Sequence, residues 1–171
     1  MVIDEQSKVV EHVEIGSGYR YLVLEAPKIA EALVPGQFVH VKVPGLEASA
    51  LRRPFSVFDA EDGKVTVLYK TVGRGTEMLN RVQVGERVNV LGPLGHGFPM
   101  KCDGVPLFVG GGYGVAPLHF LAKRFVAAAG LPKPILFVGG RTKDDLLALD
   151  RFEALGVEVR AATNDGSFGV K

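Results

Sequence analysis

Alternating apolar and polar positions dominate the first ninety residues of the chain. Short runs rich in β-forming residues, separated by glycine-containing turns, lie at residues 9–15, 19–24, 37–43, 53–58, 64–70 and 86–91. One short helix is predicted at residues 77–81, with Thr76 as its N-cap. Six short strands at near-regular spacing with little helix predict a small antiparallel β-barrel, with a β-sandwich as the alternative.

The periodicity changes from about two to about 3.6 residues after the densest glycine and proline stretch, residues 92–99. We place a linker at about residues 93–104. Strands predicted at residues 105–109, 135–138 and 157–161 then alternate with helices at residues 117–129 and 143–154, the second capped by Thr142. This β-α-β-α-β pattern predicts half of a doubly wound parallel sheet. We therefore expect a barrel domain at residues 1–99 and a partial nucleotide-binding α/β domain at residues 100–171.

A glycine-rich turn joins the first strand of the second half to its first helix, at residues 107–117. Glycines there let a bound group approach the backbone, and the N–H groups that open the helix favour a phosphate. Val115 stands where a G-x-G-x-x-G dinucleotide fingerprint would need its third glycine. Two interpretations remain open at this point, a nucleotide site and a tight turn with a close helix–strand contact.

Composition narrows the class of function. The chain has 171 residues, 47% hydrophobic and 23% charged, with a formal net charge of +1, so nucleic acid or an anionic membrane is not the expected partner. No apolar run approaches the roughly 20 residues of a membrane span, and residues 1–8 lack the apolar core of a signal peptide, so we expect a cytoplasmic protein. Cys102, the single cysteine, cannot form an intramolecular disulfide or hold an iron–sulfur cluster by itself.

Four motifs, in order and at the right spacing, resemble those of the ferredoxin–NADP reductase superfamily, in which an FAD-binding barrel precedes an NAD(P) domain. They are Arg52-Arg53-Pro54-Phe55-Ser56, Gly73-Arg74-Gly75-Thr76, Leu91-Gly92-Pro93-Leu94-Gly95 and the run from Gly110 to Pro117. Within the superfamily, the first and third motifs and residues 163–167 are most similar to electron-transfer subunits of NAD-dependent dihydroorotate dehydrogenases, which serve pyrimidine biosynthesis.

The resemblance implies an FAD site formed by Arg53, Pro54, Phe55, Ser56, Tyr69, Lys70, Gly75 and Thr76. Arg53 offers a charged, planar fork for the pyrophosphate, with a surface ion pair as the alternative. Phe55 would pack on the isoalloxazine or simply fill the barrel core, and it lacks the hydroxyl of the tyrosine common in the superfamily. Ser56, the predicted catalytic residue, would hydrogen-bond a flavin nitrogen that gains a proton on reduction, with a turn-stabilising role as the alternative.

The resemblance also implies an NAD(H) site formed by Gly111, Gly112, Gly114, Val115, Arg141 and Asp165. Arg141 follows the second strand and would touch adenosine or pyrophosphate, with a surface arginine as the alternative. Asp165 follows the third strand, where a carboxylate accepts a hydrogen bond from the ribose 2′-hydroxyl and repels a 2′-phosphate. We therefore expect NAD rather than NADP.

The implied partner is a catalytic dihydroorotate dehydrogenase subunit, reached by single electrons through a [2Fe–2S] cluster. Because the family's Cys-Gly-Pro motif and its cysteine cluster are missing here, we expect the cluster only in a longer form, and impaired turnover in this chain. Two alternatives remain, an FAD- or partner-binding module without turnover and a reductase subunit of a hydrogenase or transhydrogenase complex. The first strand of the half-sheet would also have an open edge, which predicts self-association.

Overall fold

A computed structural model describes residues 1–45 and 51–170. The first half forms a closed antiparallel barrel with the strand order β1-β2-β5-β4-β3-β6. Its strands are β1 (Ile3–Gly16), β2 (Tyr19–Glu25), β3 (Phe38–Lys42), β4 (Arg53–Glu61), β5 (Lys64–Lys70) and β6 (Arg87–Leu94). Alternate residues of these strands, such as Val39, Val65 and Val90, are fully buried inside the barrel. The prediction of a barrel rather than a sandwich is confirmed.

Pairing at the barrel seam lengthens two of the predicted strands. β1 begins at Ile3 because its first residues pair with β6, with Ile3 opposite Gly92. β6 continues to Leu94, which pairs with Phe38, so the predicted linker start at residue 93 was wrong. A short helix, α1 (Pro27–Ala32), was not predicted, and it buries Ile29 and Ala30 in the barrel core.

The helix after β5 differs from its prediction in its first residue and in its N-cap. α2 (Arg74–Leu79) begins three residues earlier than predicted, and Gly73 rather than Thr76 is its N-cap. Thr76 lies within the first turn, where its hydroxyl oxygen accepts hydrogen bonds from the backbone N–H of Val72 at 2.9 Å and of Gly73 at 3.2 Å. The threonine thus fixes the turn from inside the helix.

The second half is a three-stranded parallel sheet with the order β7-β8-β9. Its elements are β7 (Leu107–Gly111), α3 (Ala116–Ala127), β8 (Ile135–Gly140), α4 (Leu149–Ala154) and β9 (Glu158–Thr163). A 3₁₀ turn, Gly112–Val115, separates β7 from α3. The predicted β-α-β-α-β pattern is confirmed.

The predicted helix at residues 143–154 is divided in two. Thr142 does cap the segment, accepting from the N–H of Asp144 at 3.2 Å, but the 3₁₀ turn Lys143–Asp145 ends after one turn. Leu147 then enters the core, and Ala148 adopts a left-handed conformation with φ of 58° before α4 begins. Burial of Leu147 accompanies this break in a segment whose sequence suits a continuous helix.

An aromatic stack joins the two halves. The His119 ring of α3 lies parallel to Phe58 of β4, with centroids 4.1 Å apart, and Phe152 of α4 meets the His119 ring edge-on at 5.3 Å. Lys123 of α3 adds ion pairs to Asp59 at 2.8 Å and to Glu61 at 2.7 Å. Residues of both halves therefore form a shared hydrophobic cluster next to the barrel's own core, and the domain boundary at residue 99 stays a prediction.

One edge and one face of the parallel sheet are open among the described residues. β7 pairs only with β8 there, and the outward side chain of Val109 is 75% exposed. Leu107, two residues earlier, points to the same face. The open edge agrees with the expectation from the sequence, whereas self-association stays a prediction.

Candidate functional site

Two clefts lie side by side where the barrel meets the parallel sheet. The first, called here the barrel cleft, has a volume of about 250 Å³ and is lined by Pro54, Phe55, Ser56, Leu68, Tyr69, Lys70, Val72, Thr76 and Tyr113. The second, called here the strand-end cleft, has a volume of about 420 Å³ and is lined by Tyr19, Gly112, Gly139, Gly140, Arg141, Asp145, Ala162 and Asn164. A larger groove of about 750 Å³, beside the β1–β2 hairpin, contains none of the predicted site residues.

The barrel cleft gathers six of the eight residues predicted for FAD, and the other two, Arg53 and Gly75, lie against each other at the start of α2. A Cβ on Gly75 would come within 2.6 Å of Arg53 Nε, so the arginine occupies space that only glycine leaves open. The Arg53 Nη1 group donates to the Leu51 carbonyl at 3.0 Å. No ion pair of Arg53 occurs within residues 1–45 and 51–170, so its charge remains available to an anion.

Strand alternation along β4 decides what each motif residue can offer. Pro54 and Ser56 face outwards and are exposed, so the Ser56 hydroxyl reaches the cleft. Phe55 faces inwards, is only 9% exposed, and meets the Tyr69 ring edge-on at 5.7 Å. Both interpretations of Phe55 therefore find support, because the ring belongs to the barrel core and also lines the cleft.

The Tyr69 hydroxyl is hydrogen-bonded to the ring of His12, a residue of β1. The His12 Nδ1 lies 2.9 Å from the Val82 carbonyl, and Nε2 lies 2.8 Å from the Tyr69 hydroxyl. Because a carbonyl only accepts, Nδ1 carries the proton of the neutral ring, and Nε2 accepts from Tyr69. Burial raises the pKa of Tyr69 to about 12 and lowers the pKa of His12, so both groups are neutral near pH 7.

The glycine turn supports both interpretations made from the sequence: some of its glycines permit close packing, and others leave the backbone open to a nucleotide. A Cβ on Gly111 would come within 2.9 Å of the Gly139 carbonyl oxygen, and one on Gly110 within 3.0 Å of Leu118, so these two glycines permit close packing. Gly112 needs its positive φ of 51° and lines the strand-end cleft. Gly114 is exposed, has nothing within 4 Å of an added Cβ, and is not in the left-handed region. Packing therefore does not explain Gly114.

The other residues predicted for NAD(H) differ in whether they line the strand-end cleft. Arg141 lines the strand-end cleft with a side chain that is 79% exposed. The Val115 side chain is fully buried in the core, which leaves only its backbone for a ligand. Asp165 does not line the cleft, and its Oδ1 accepts from the Ser167 N–H at 3.0 Å and hydroxyl at 2.7 Å. These bonds lower the pKa of Asp165 and give it a turn-capping role.

Asp145 lines the strand-end cleft and also approaches Lys70, which lines the barrel cleft. Its Oδ1 accepts from the Tyr19 hydroxyl at 3.0 Å and lies 3.9 Å from Lys70 Nζ, while Oδ2 lies 3.5 Å from Arg141 Nε. The Tyr19 hydrogen bond, with the charges of Arg141 and Lys70, holds the pKa of the Asp145 carboxyl below its usual value. Asp145 is therefore ionised near neutral pH.

Residues 6–98 match the family of the oxidoreductase FAD-binding domain. This chain belongs to that family. Electron transfer subunits of dihydroorotate dehydrogenase B (NAD(+)) from Lysinibacillus sphaericus and Bacillus cereus are 41% and 42% identical to it, over 176 and 168 residues. The alignments cover 100% and 95% of this chain but 67% and 64% of the relatives, so the chain spans about two thirds of their length.

Solved structures agree with this family assignment. The NADH-dependent reduced ferredoxin-NADP oxidoreductase superposes with a TM-score of 0.84 at 30% identity, covering 98% of this chain and 59% of that one. A cytochrome P450 reductase from Amycolatopsis gives a TM-score of 0.79 at 28% identity, covering 95% of this chain and 52% of that one. The resemblance to the ferredoxin–NADP reductase superfamily is confirmed, and residues 6–98 form an FAD-binding oxidoreductase domain.

The structure adds cleft residues that the sequence analysis missed. Tyr113 lines the barrel cleft from the glycine turn, while Tyr19, Asp145 and Asn164 line the strand-end cleft. Asn164 had a usable signal, because it follows β9 as Arg141 follows β8, and the carboxyl ends of parallel strands meet at one edge. Tyr19 and Asp145 had none, since they come from opposite ends of the chain.

Other classes of site find no support in the described part of the chain. Residues 1–45 and 51–170 contain no cluster of three or more histidine, cysteine or acidic side chains that could hold a metal ion. The Cys102 thiol, in the loop before β7, lies 3.1 Å from the Gly104 carbonyl oxygen. No helix in these residues is long and apolar enough to cross a membrane, and the cytoplasmic location stays a prediction.

Proposed function

We propose that this chain is the FAD- and NAD(H)-binding part of an electron transfer subunit that serves a catalytic dihydroorotate dehydrogenase. The observation that carries the proposal is the position of one turn. Gly112 lines the strand-end cleft and its neighbour Tyr113 lines the barrel cleft, so a dinucleotide lying on the turn would reach a flavin in the barrel cleft. The names of the curated relatives agree with such an assignment.

FAD would be held by the groups that the barrel presents around its cleft. Arg53, with no ion pair among the described residues, would bind the pyrophosphate beside Gly75 and Thr76, where the missing Cβ of Gly75 leaves room for the arginine side chain. Pro54, Phe55 and Tyr69 contact the ring system, and the Ser56 hydroxyl orients towards the flavin nitrogen that is protonated on reduction. Bound FAD supplies the ability to accept a hydride and release electrons one at a time.

NAD(H) would lie across the carboxyl ends of the parallel strands, the usual position for a ligand of an open α/β sheet. Gly112 and Arg141 line the cleft, where Arg141 would bind a phosphate or the adenosine. Gly111, Gly114 and the backbone of Val115 lie on the same turn and would let the dinucleotide approach the main chain. Asp165 is next in sequence to the cleft residue Asn164 and would favour NAD over NADP by repelling a 2′-phosphate, through the carboxylate oxygen that does not bond Ser167. A [2Fe–2S] cluster belongs only to a longer form, because Cys102 is the single cysteine of this sequence.

Visible absorbance tests the proposal directly. Protein incubated with FAD and freed of excess cofactor should be yellow, and NADH added without oxygen should bleach the flavin slowly, with NADPH as the control donor. Protein that stays colourless would refute the FAD site. Protein that binds FAD but is not bleached by NADH would leave a flavin-binding module without turnover.

A further inference from the structure

One carboxylate is shared by a cation from each cleft. Lys70 lines the barrel cleft and Arg141 lines the strand-end cleft, and both approach Asp145, at 3.9 Å and 3.5 Å. The Lys70 ammonium also lies over the Tyr19 ring, 4.3 Å from its centroid. The ring and the carboxylate thus hold the ammonium from two sides, and Asp145 is the common counter-ion.

A purely structural role does not account for this arrangement. The two halves of the molecule already meet through the buried stack of Phe58, His119 and Phe152 and through the ion pairs of Lys123. The Asp145 side chain is 15% exposed and lies at the cleft wall rather than in that core. Its charge therefore acts chiefly on the two cations beside it and on whatever anion enters either cleft.

We infer that Asp145 is a positioning residue that sets the positive charge facing both clefts, by holding Lys70 and Arg141 against its own carboxylate. This inference rests on the proposed function. FAD and NAD(H) both carry an anionic pyrophosphate, and a flavin gains electrons on reduction. With Asp145 ionised, the charges of Lys70 and Arg141 are partly neutralised, so nucleotide affinity and the flavin midpoint potential both stay lower than the cations alone would set them.

The variant Asp145→Asn tests the negative charge of Asp145 separately from its hydrogen bond to Tyr19. The amide oxygen still accepts from the Tyr19 hydroxyl, while the negative charge beside Lys70 and Arg141 is lost. Asp144→Asn is the matched control, because it makes the same charge change one residue away on an exposed side chain that pairs with no cation among the described residues. Calorimetric titration with NAD+ should show about threefold to fivefold tighter binding for Asp145→Asn at low salt. Asp144→Asn should bind as the wild type does.

The salt dependence of NAD+ affinity and the flavin midpoint potential distinguish a charge effect from a general loosening of the structure. The gain in NAD+ affinity should disappear at about 1 M salt, where the Debye length is about 3 Å. Spectroelectrochemical titration of the FAD-loaded protein should show a higher flavin midpoint potential for Asp145→Asn and a lower one for Lys70→Met. In the Lys70→Met background the effect of Asp145→Asn should shrink, since the two residues are coupled.

Three results would overturn the inference. Asp145→Asn could match Asp144→Asn in NAD+ affinity and in flavin potential, which would show that the shared charge is inert. It could instead weaken NAD+ binding as much as Tyr19→Phe does, which would make Asp145 a structural contact only. Wild-type protein that binds neither FAD nor NAD+ would refute the proposed function itself, a result that differs from both.

Discussion

Gly114 offers the sharpest test of the nucleotide site, because its replacement separates ligand binding from packing. An added Cβ there meets nothing within 4 Å, and the backbone is not left-handed. Gly114→Ala should therefore fold normally, and the reduced entropy of the unfolded chain should stabilise the protein by about 0.4–1 kcal/mol. Gly111 differs from Gly114 in this respect, since a Cβ added to Gly111 would come within 2.9 Å of the Gly139 carbonyl oxygen.

Gly114→Ala is expected to weaken the binding of NAD(H) rather than the fold. If NAD(H) lies across the turn, the new methyl group occupies space that the dinucleotide needs, and overfilling a packed contact costs about 1–3 kcal/mol. A loss of that size weakens binding by about 5-fold to 150-fold in Kd. Gly114→Ala should thus raise the free energy of unfolding and weaken NADH binding, a combination that a merely structural glycine does not produce.

Urea unfolding and titration of NADH fluorescence measure the two quantities. Gly104→Ala is the matched control, because it adds a methyl group at another exposed glycine with nothing within 4 Å, in the loop before β7. The control should leave the Kd for NADH unchanged. Wild-type affinity in Gly114→Ala would show that the dinucleotide does not cross this residue, and lower stability would show that the turn is packed more tightly than its geometry indicates.

Three further predictions concern the barrel cleft, the choice of nucleotide and the shared core. Arg53→Ala should remove a charge-assisted contact of about 1.5–3 kcal/mol and weaken FAD binding about tenfold or more, whereas an unchanged Kd would return Arg53 to an ordinary surface role. Asp165→Ser should narrow the preference for NADH in flavin reduction rates, and faster reduction of the wild type by NADPH would contradict the ribose assignment. Burial lowers the pKa of His119 below its ordinary 6.5, so its contribution to stability is complete above that pH and is lost as the pH falls, because the unfolded chain takes up the proton more readily. His119→Phe should therefore flatten the loss of unfolding free energy between about pH 7.5 and about pH 5.5, and an equally steep loss would refute this.

The sequence by itself determined the elements whose cause is local. Alternation of apolar residues predicts the barrel strands, because one face of each strand must be buried. The change of period after residues 92–99 predicts the parallel sheet and its helices. The motifs around Arg53 and Gly75 point to the barrel cleft, which six of the eight residues predicted for FAD line, and their binding role stays a prediction.

Tertiary structure decided whatever depends on partners distant in the chain. Local preference favours a continuous helix at residues 143–154, yet Leu147 is buried in the core and the helix is broken at Ala148. Asp145 meets Tyr19, 126 residues away, only because the barrel closes and the parallel sheet packs against it. A charge shared between two clefts is a property of that packing, and no pattern along the chain records it.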